Sequence, residues 1–300
     1  MKRFLMISSL AVLSQLVYIS ATAQSVADSS RQKIAGERTY YETLGKIYPA
    51  DASVPVAETS LAGVKSYWFN KPLLNQKHIV IYLHGGMYAL GSINSYWAMV
   101  SHLAKRLNLP IVYVEYSLSP EHPYPAAVNE NLAVYRALQK AYPGYKFSII
   151  GDSAGGGLAV QLVNSSVEAK LPVPASLALI SPWVDLKTRN ESYASKQAAD
   201  PILSRKMLHD HALLYNPATN KAADPSELTF KTFPPVLVLV GTDEVLNDDA
   251  KNFYQVIKLI QPRAKLKEFE GQKHVWPVSS IDSKASVEAL RDIDAFVKAN

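Results

Sequence analysis

Ser153 stands in Gly151-Asp152-Ser153-Ala154-Gly155, a G-x-S-x-G pattern. The pattern carries weight where a strand turns sharply into a helix. The strained turn then lifts the serine Oγ clear of the sheet, and the helix N-terminus faces any negative charge that develops. The flanking residues give that context, with a strand expected over Tyr145–Ile150 and a helix from Ala154 to Asn164. A serine hydroxyl is a poor nucleophile until a base takes its proton, and the base needs a third group to orient it. Three histidines follow Ser153: His209, His211 and His274. The first two fall in a stretch without strand signal, and a spacing of two points them to different sides of a helix. His274 follows the strand ending at Phe269-Glu270 and a turn at Gly271, so it is the expected base. Asp243 is the first carboxylate beyond the strand Val236–Val240 and is the expected acid. Asp248 is the alternative, better suited to cap the helix after it, and Glu244 reaches the histidine only if the loop is redrawn.

Acyl transfer also needs donors for an oxyanion. His84-Gly85-Gly86 follows the apolar strand His78–Leu83, and backbone N–H groups of Gly85 and Gly86, with that of Ala154, are the expected donors. His84 lies a full strand–helix set ahead of the elbow and is read as holding the glycine loop. Tyr88, Leu90, Trp97 and Trp276 could line an acyl or alcohol pocket, with core packing equally open to each. Asp200-Pro201 reads as a helix start, and His122 beside Pro123 as a turn.

These residues need a frame, and the rest of the sequence supplies one. Strand patterns apolar on both faces (His78–Leu83, Ile111–Tyr116, Tyr145–Ile150, Leu177–Ile180, Val236–Val240) alternate with amphipathic helical patterns. That is the signature of a largely parallel sheet covered on both sides, an α/β fold. Residues 24–60 read as polar and helix-compatible. Residues 187–228 carry no strand signal and only two weak helical patches, so this insertion is expected to be a lid. No internal repeat or low-complexity tract is present.

At 300 residues, 48% hydrophobic and 19% charged, the chain has enough apolar content for a large core. Cysteine is absent, which excludes disulfides, thiolate nucleophiles and Cys-ligated metals. No dense Lys/Arg run supplies the stripe that nucleic acid requires, so no nucleic-acid partner is expected. Lys2-Arg3, an apolar run to Ile19 and Ala21-Thr22-Ala23 have the three parts of a secretory signal. Residues 1–23 are expected to be removed near Ala23/Gln24, leaving a periplasmic or secreted domain over 24–300. Without Lys2 and Arg3 that mature chain holds 29 basic against 26 acidic residues. No cysteine follows the apolar run, so a lipoprotein is excluded, and no membrane insertion is expected after cleavage.

Together the motifs resemble the hormone-sensitive lipase-like bacterial esterases of the α/β-hydrolase fold. The matching segments are His84-Gly85-Gly86, Tyr116-Ser117-Leu118-Ser119-Pro120-Glu121 with Pro125-Ala126-Ala127, Gly151 to Gly156, Ser181-Pro182-Trp183, Asp243 to Asp249 and His274-Val275-Trp276. The resemblance spans roughly residues 64–298. It implies an eight-stranded, mostly parallel sheet flanked by helices under a helical cap, the cap drawn from about 24–60 and 187–228. It implies hydrolysis of short-chain, including acetyl, esters of small molecules through an acyl-enzyme, without metal or cofactor, and a homodimer through the last strand and helix. Substrate-binding positions fall on Met87, Tyr88, Asp152 and Trp276. Met87 stands where the family's third glycine is usual and would narrow the acyl pocket. Ser117 and Ser119 replace an Arg and an Ala, and Asn129-Glu130 an acidic pair. An esterase acting on acetylated polysaccharide, an amidase or peptidase on the same triad, and a ligand-binding protein without catalysis are the competing readings.

Overall fold

The computed structural model describes residues 32–300, so the expected signal segment 1–23 lies outside the described residues. The chain divides into a unit ending at Tyr40, helical from residue 32, and a second unit, Tyr41–Asn300, that carries everything below.

The second unit is built on an eight-stranded sheet in the order β1-β2-β4-β3-β5-β6-β7-β8. The strands are β1 Val56–Leu61, β2 Val64–Phe69, β3 His78–Leu83, β4 Ile111–Val114, β5 Lys146–Asp152, β6 Ser176–Ile180, β7 Val236–Gly241 and β8 Lys265–Phe269. β1 pairs with β2, and β2 with β4, antiparallel; the six strands from β4 to β8 run parallel. The helices are α1 Ile93–Leu107, α2 Ala126–Ala141, α3 Ala154–Glu168, α4 Arg205–Tyr215, α5 Asn247–Ile257 and α6 Lys284–Ala299, with shorter turns between them.

Every residue of β3, β4, β6 and β7 is buried, which explains why these strands are apolar without alternation: both faces are covered. One face joins Val80, Tyr82, Ile150, Ile180 and Leu239 to Leu103 of α1 and Ile293 of α6 in a single cluster. A fully buried Val, Leu or Ile contributes about 1.5–3 kcal/mol, so this cluster is a principal source of stability. The segment 24–60 is not wholly helical as its composition suggested. Residues 56–61 are β1, an edge strand of exposed and half-buried positions, joined to β2 by a two-residue turn at Ala62 (φ 52°) and Gly63 (φ 85°). The insertion 187–228 holds the turn Ser192–Ser195 and α4.

All the parallel strands end along one edge, where β5 passes into α3. Gly155, in the first turn of α3, lies against the end of β3: a Cβ there would sit 2.0 Å from the Leu83 carbonyl oxygen. Backbone cannot yield as a flexible side chain can. Gly155→Ala is therefore expected to lower stability by at least about 2 kcal/mol. Urea unfolding of the variant beside the parent checks it.

Candidate active site

Ser153 occupies the turn between β5 and α3 at φ 50°, ψ −121°, a region that costs a residue with a side chain about 1–3 kcal/mol. The surroundings hold it there. Its N–H donates to the Ile180 carbonyl (2.9 Å), and its own carbonyl accepts from Gly156 (3.0 Å) and Trp183 (2.9 Å). His274 follows β8, and its Nε2 lies 2.9 Å from Ser153 Oγ. The next residue, Val275, takes the left-handed conformation (φ 46°, ψ 49°), and its N–H donates to Ser181 Oγ at 3.1 Å. Both reacting side chains are nearly enclosed, Ser153 at 3% and His274 at 7% exposure.

The acid is not where the spacing put it. Glu244 Oε2 lies 3.0 Å from His274 Nδ1, and its Oε1 accepts the Gly241 N–H at 3.0 Å. Asp243 points outward and pairs with Lys273 Nζ at 3.0 Å, which holds its carboxyl below the usual range. The chain turns straight after β7. Thr242 N–H donates to Phe269 O and Asp243 N–H to Gln272 O, and this turn leaves Asp243 facing outward beside Lys273 and Glu244 facing inward to His274. Asp248 does not cap the helix as expected: it lies in the first turn of α5, whose N-terminus has no side-chain cap, and accepts the Ser192 N–H (2.8 Å) away from His274.

The oxyanion loop needs a similar correction. The Gly85 N–H is already engaged, donating to Asp152 Oδ1 and Tyr96 Oη, both at 3.1 Å, so it is not an oxyanion donor. The N–H groups of Gly86, Met87 and Ala154 have no protein acceptor among the described residues. Gly86 (φ 101°), Met87 (φ 55°) and Tyr88 (φ 60°) form a left-handed run. The loop presses on the elbow, for a Cβ on Gly85 would meet Ser153 Cβ at 2.9 Å. His84 steadies the loop from below, as its position suggested. It stacks on Tyr116 (centroids 4.2 Å), and its Nδ1 lies 2.8 Å from Gly85 O. Burial lowers its pKa to about 4, so near neutrality the ring is uncharged and Nδ1–H donates.

Of the four expected substrate-binding residues, three are packed into the fold. Asp152 is fully buried: Oδ1 accepts from Tyr82 Oη (2.7 Å) and Gly85 N–H, and Oδ2 from Tyr96 Oη (2.8 Å). It ties elbow to oxyanion loop and does not meet substrate. Tyr88 stacks on Tyr215 at 3.8 Å, and Trp276 packs on Phe269 at 4.7 Å, both almost wholly buried. Met87 stays at the loop itself, 6% exposed. Among the described residues, no three His, Asp or Glu side chains are grouped to hold a metal ion, and no helix is long and apolar enough to cross a membrane.

A family model described as alpha/beta hydrolase fold matches residues 80–278. A solved esterase from the bacterial hormone-sensitive lipase family superposes with a TM-score of 0.84 at 30% identity, covering 89% of this chain and 91% of that one. The chain belongs to this family. Other relatives agree. A protein named esterase from Acinetobacter venetianus is 31% identical over 86% of this chain and 87% of its own length. One named acetyl-hydrolase from Streptomyces hygroscopicus is 33% identical over 74% and 76%. In this member of the hormone-sensitive lipase-like esterases, the segment Glu244-Val245-Leu246-Asn247-Asp248 presents a glutamate, not an aspartate, to the histidine.

Burial raises the Asp152 pKa from 3.8 to about 6. The native protein thus takes up this proton at higher pH than the unfolded chain does, and the contribution to stability falls as pH rises from about 4 to about 6. In Asp152→Asn that contribution is gone. Stability of the variant is expected to change more positively with pH over this range than that of the parent, as urea midpoints at successive pH values would record. The same variant sets an amide N–H₂ against donors and is expected to lower kcat about 10-fold or more.

Proposed function

We propose that this carboxylic ester hydrolase acts on short-chain, including acetyl, esters through an acyl-enzyme on Ser153. The observation that carries the reading is the unbroken line Ser153 Oγ, His274 Nε2 and Nδ1, Glu244 Oε2, with spacings of 2.9 and 3.0 Å. Ser153 Oγ attacks the ester carbonyl while His274 Nε2 takes its proton. Glu244 accepts from Nδ1–H, fixes the imidazole in that orientation and balances the positive charge that forms. The tetrahedral oxyanion is received by the N–H groups of Gly86, Met87 and Ala154, at the N-terminal end of α3. As the carbonyl reforms, the C–O bond to the alcohol breaks, and His274 returns the proton to the departing oxygen. Water then repeats the sequence on the acyl-serine, releasing the acid and the free serine.

The preference for short acyl chains rests on Met87, a full side chain where a glycine would leave space, and on the enclosure of Ser153. A relative named acetyl-hydrolase points the same way. The basic and apolar N-terminal pattern supports export, which would place the substrate outside the cytoplasm.

The test is a p-nitrophenyl ester series from acetate to palmitate, together with acetylated xylan, given to the mature protein and to Ser153→Ala. Activity is expected to peak at the short chains, with an initial burst of nitrophenol from acyl-enzyme, and to fall by about 10³-fold or more in the variant. A peak at palmitate, or a folded Ser153→Ala that keeps its rate, would contradict the proposal.

A further inference from the structure

Beyond the residues that face substrate, we infer that Asp200 and Ser192, both in the segment between β6 and β7, are positioning residues for Glu244. The inference rests on the triad reading above. Glu244 has one more rotatable bond than an aspartate, so its reach to His274 depends more heavily on where its backbone is held. Its carboxylate is anchored at Gly241 N–H, and its carbonyl accepts from Asn247 N–H at 3.2 Å. The peptide groups on either side of Val245, the next residue, are held from outside the loop. Val245 N–H donates to Asp200 Oδ2 at 3.0 Å, and Val245 carbonyl accepts from Ser192 Oγ at 2.6 Å.

The side chains that make these bonds are buried, Asp200 at 4% and Ser192 at 2% exposure, and Val245 is fully enclosed. Asp200 could be read as a turn former only. That role is complete with one oxygen, because Oδ1 alone accepts the N–H groups of Ile202 (2.8 Å) and Leu203 (3.0 Å). Oδ2 is committed to a backbone N–H in another loop. Ser192 is tied in just as closely: its N–H donates to Asp248 Oδ2, and its Oγ accepts the Asp248 N–H at 3.2 Å. Further along, Asn190 Nδ2 and Tyr193 Oη donate to Asp249. The acid loop is thus fastened at Val245, Asp248 and Asp249 to the insertion that begins after β6. Movement of that insertion shifts the Val245 peptide and with it the carboxylate behind His274.

Asp200→Asn is a selective probe. An amide oxygen can still accept from Ile202 and Leu203, while its N–H₂ then meets the Val245 N–H, donor against donor. Ser192→Ala is the second probe, removing the bond to the Val245 carbonyl. Both are made in the parent and in Glu244→Gln, and kcat and KM are measured on p-nitrophenyl acetate after thermal unfolding confirms that each variant is folded. In the parent each is expected to lower kcat by about 10-fold with KM little changed. In Glu244→Gln neither should lower kcat further, because the group they position is already lost. Equal fractional losses in both backgrounds, or no loss in the parent, would overturn the inference and leave the triad standing. If Glu244→Gln itself keeps full kcat, the triad reading fails first, and this inference with it.

Discussion

The site depends on one strained residue. Ser153 is held at φ 50°, against its own preference, by backbone hydrogen bonds to Ile180 at the end of β6, to Trp183 in the segment after it and to the first turn of α3. Strain of this kind persists only where surrounding structure over-determines it, and here the determinants are the parallel strands themselves. β5 delivers the serine, β7 the glutamate and β8 the histidine to the same edge, because six strands run parallel and end together. Gly155 must lack a side chain so that α3 can start against β3. The oxyanion loop then reaches the elbow from the end of that same β3.

Buried carboxylates fasten the loops that the sheet cannot. Asp152 gathers the Gly85 N–H and two tyrosine hydroxyls, Glu244 the Gly241 N–H and His274, and Asp249 the N–H groups of Val184 and Asp185. Each accepts from backbone in a different segment, so each converts a loop into a fixed position. The arrangement has an electrostatic cost: burial raises Asp152 to about 6 and Asp249 to about 7. Only several donors aimed at each carboxylate keep such groups in place.

Much of this was legible in the sequence, for identifiable reasons. The continuous apolar runs marked the central strands because both faces of a parallel sheet are buried. Ser153 and His274 followed from a short motif and from strand order. The edge strand β1 gives no clear signal, because most of it faces solvent and half its residues are polar. Asp243 is the first carboxylate past the apolar run, but sequence order does not show which way each side chain leaves the turn. In the structure residues 242–243 form a turn tied to Phe269 and Gln272, and it sets the first acid outward and the second inward. Nor could spacing reveal that Gly85 N–H is taken, because its acceptors Tyr96 and Asp152 come from two other elements that meet only in the fold. Tyr88 and Trp276, for which pocket and core were both open, prove to be core, since aromatic bulk reads alike in either role.

The central claim is that Glu244, and not its neighbour, completes the line to Ser153. The most direct measurement is the proton spectrum of the folded enzyme in the far-downfield region, where an imidazole Nδ1–H bonded to a carboxylate appears, recorded for the parent, Asp243→Asn and Glu244→Gln. A His274 resonance is expected to survive in Asp243→Asn and to be lost or moved far upfield in Glu244→Gln, with esterase activity following it. The opposite pattern, loss in Asp243→Asn and survival in Glu244→Gln, would contradict it.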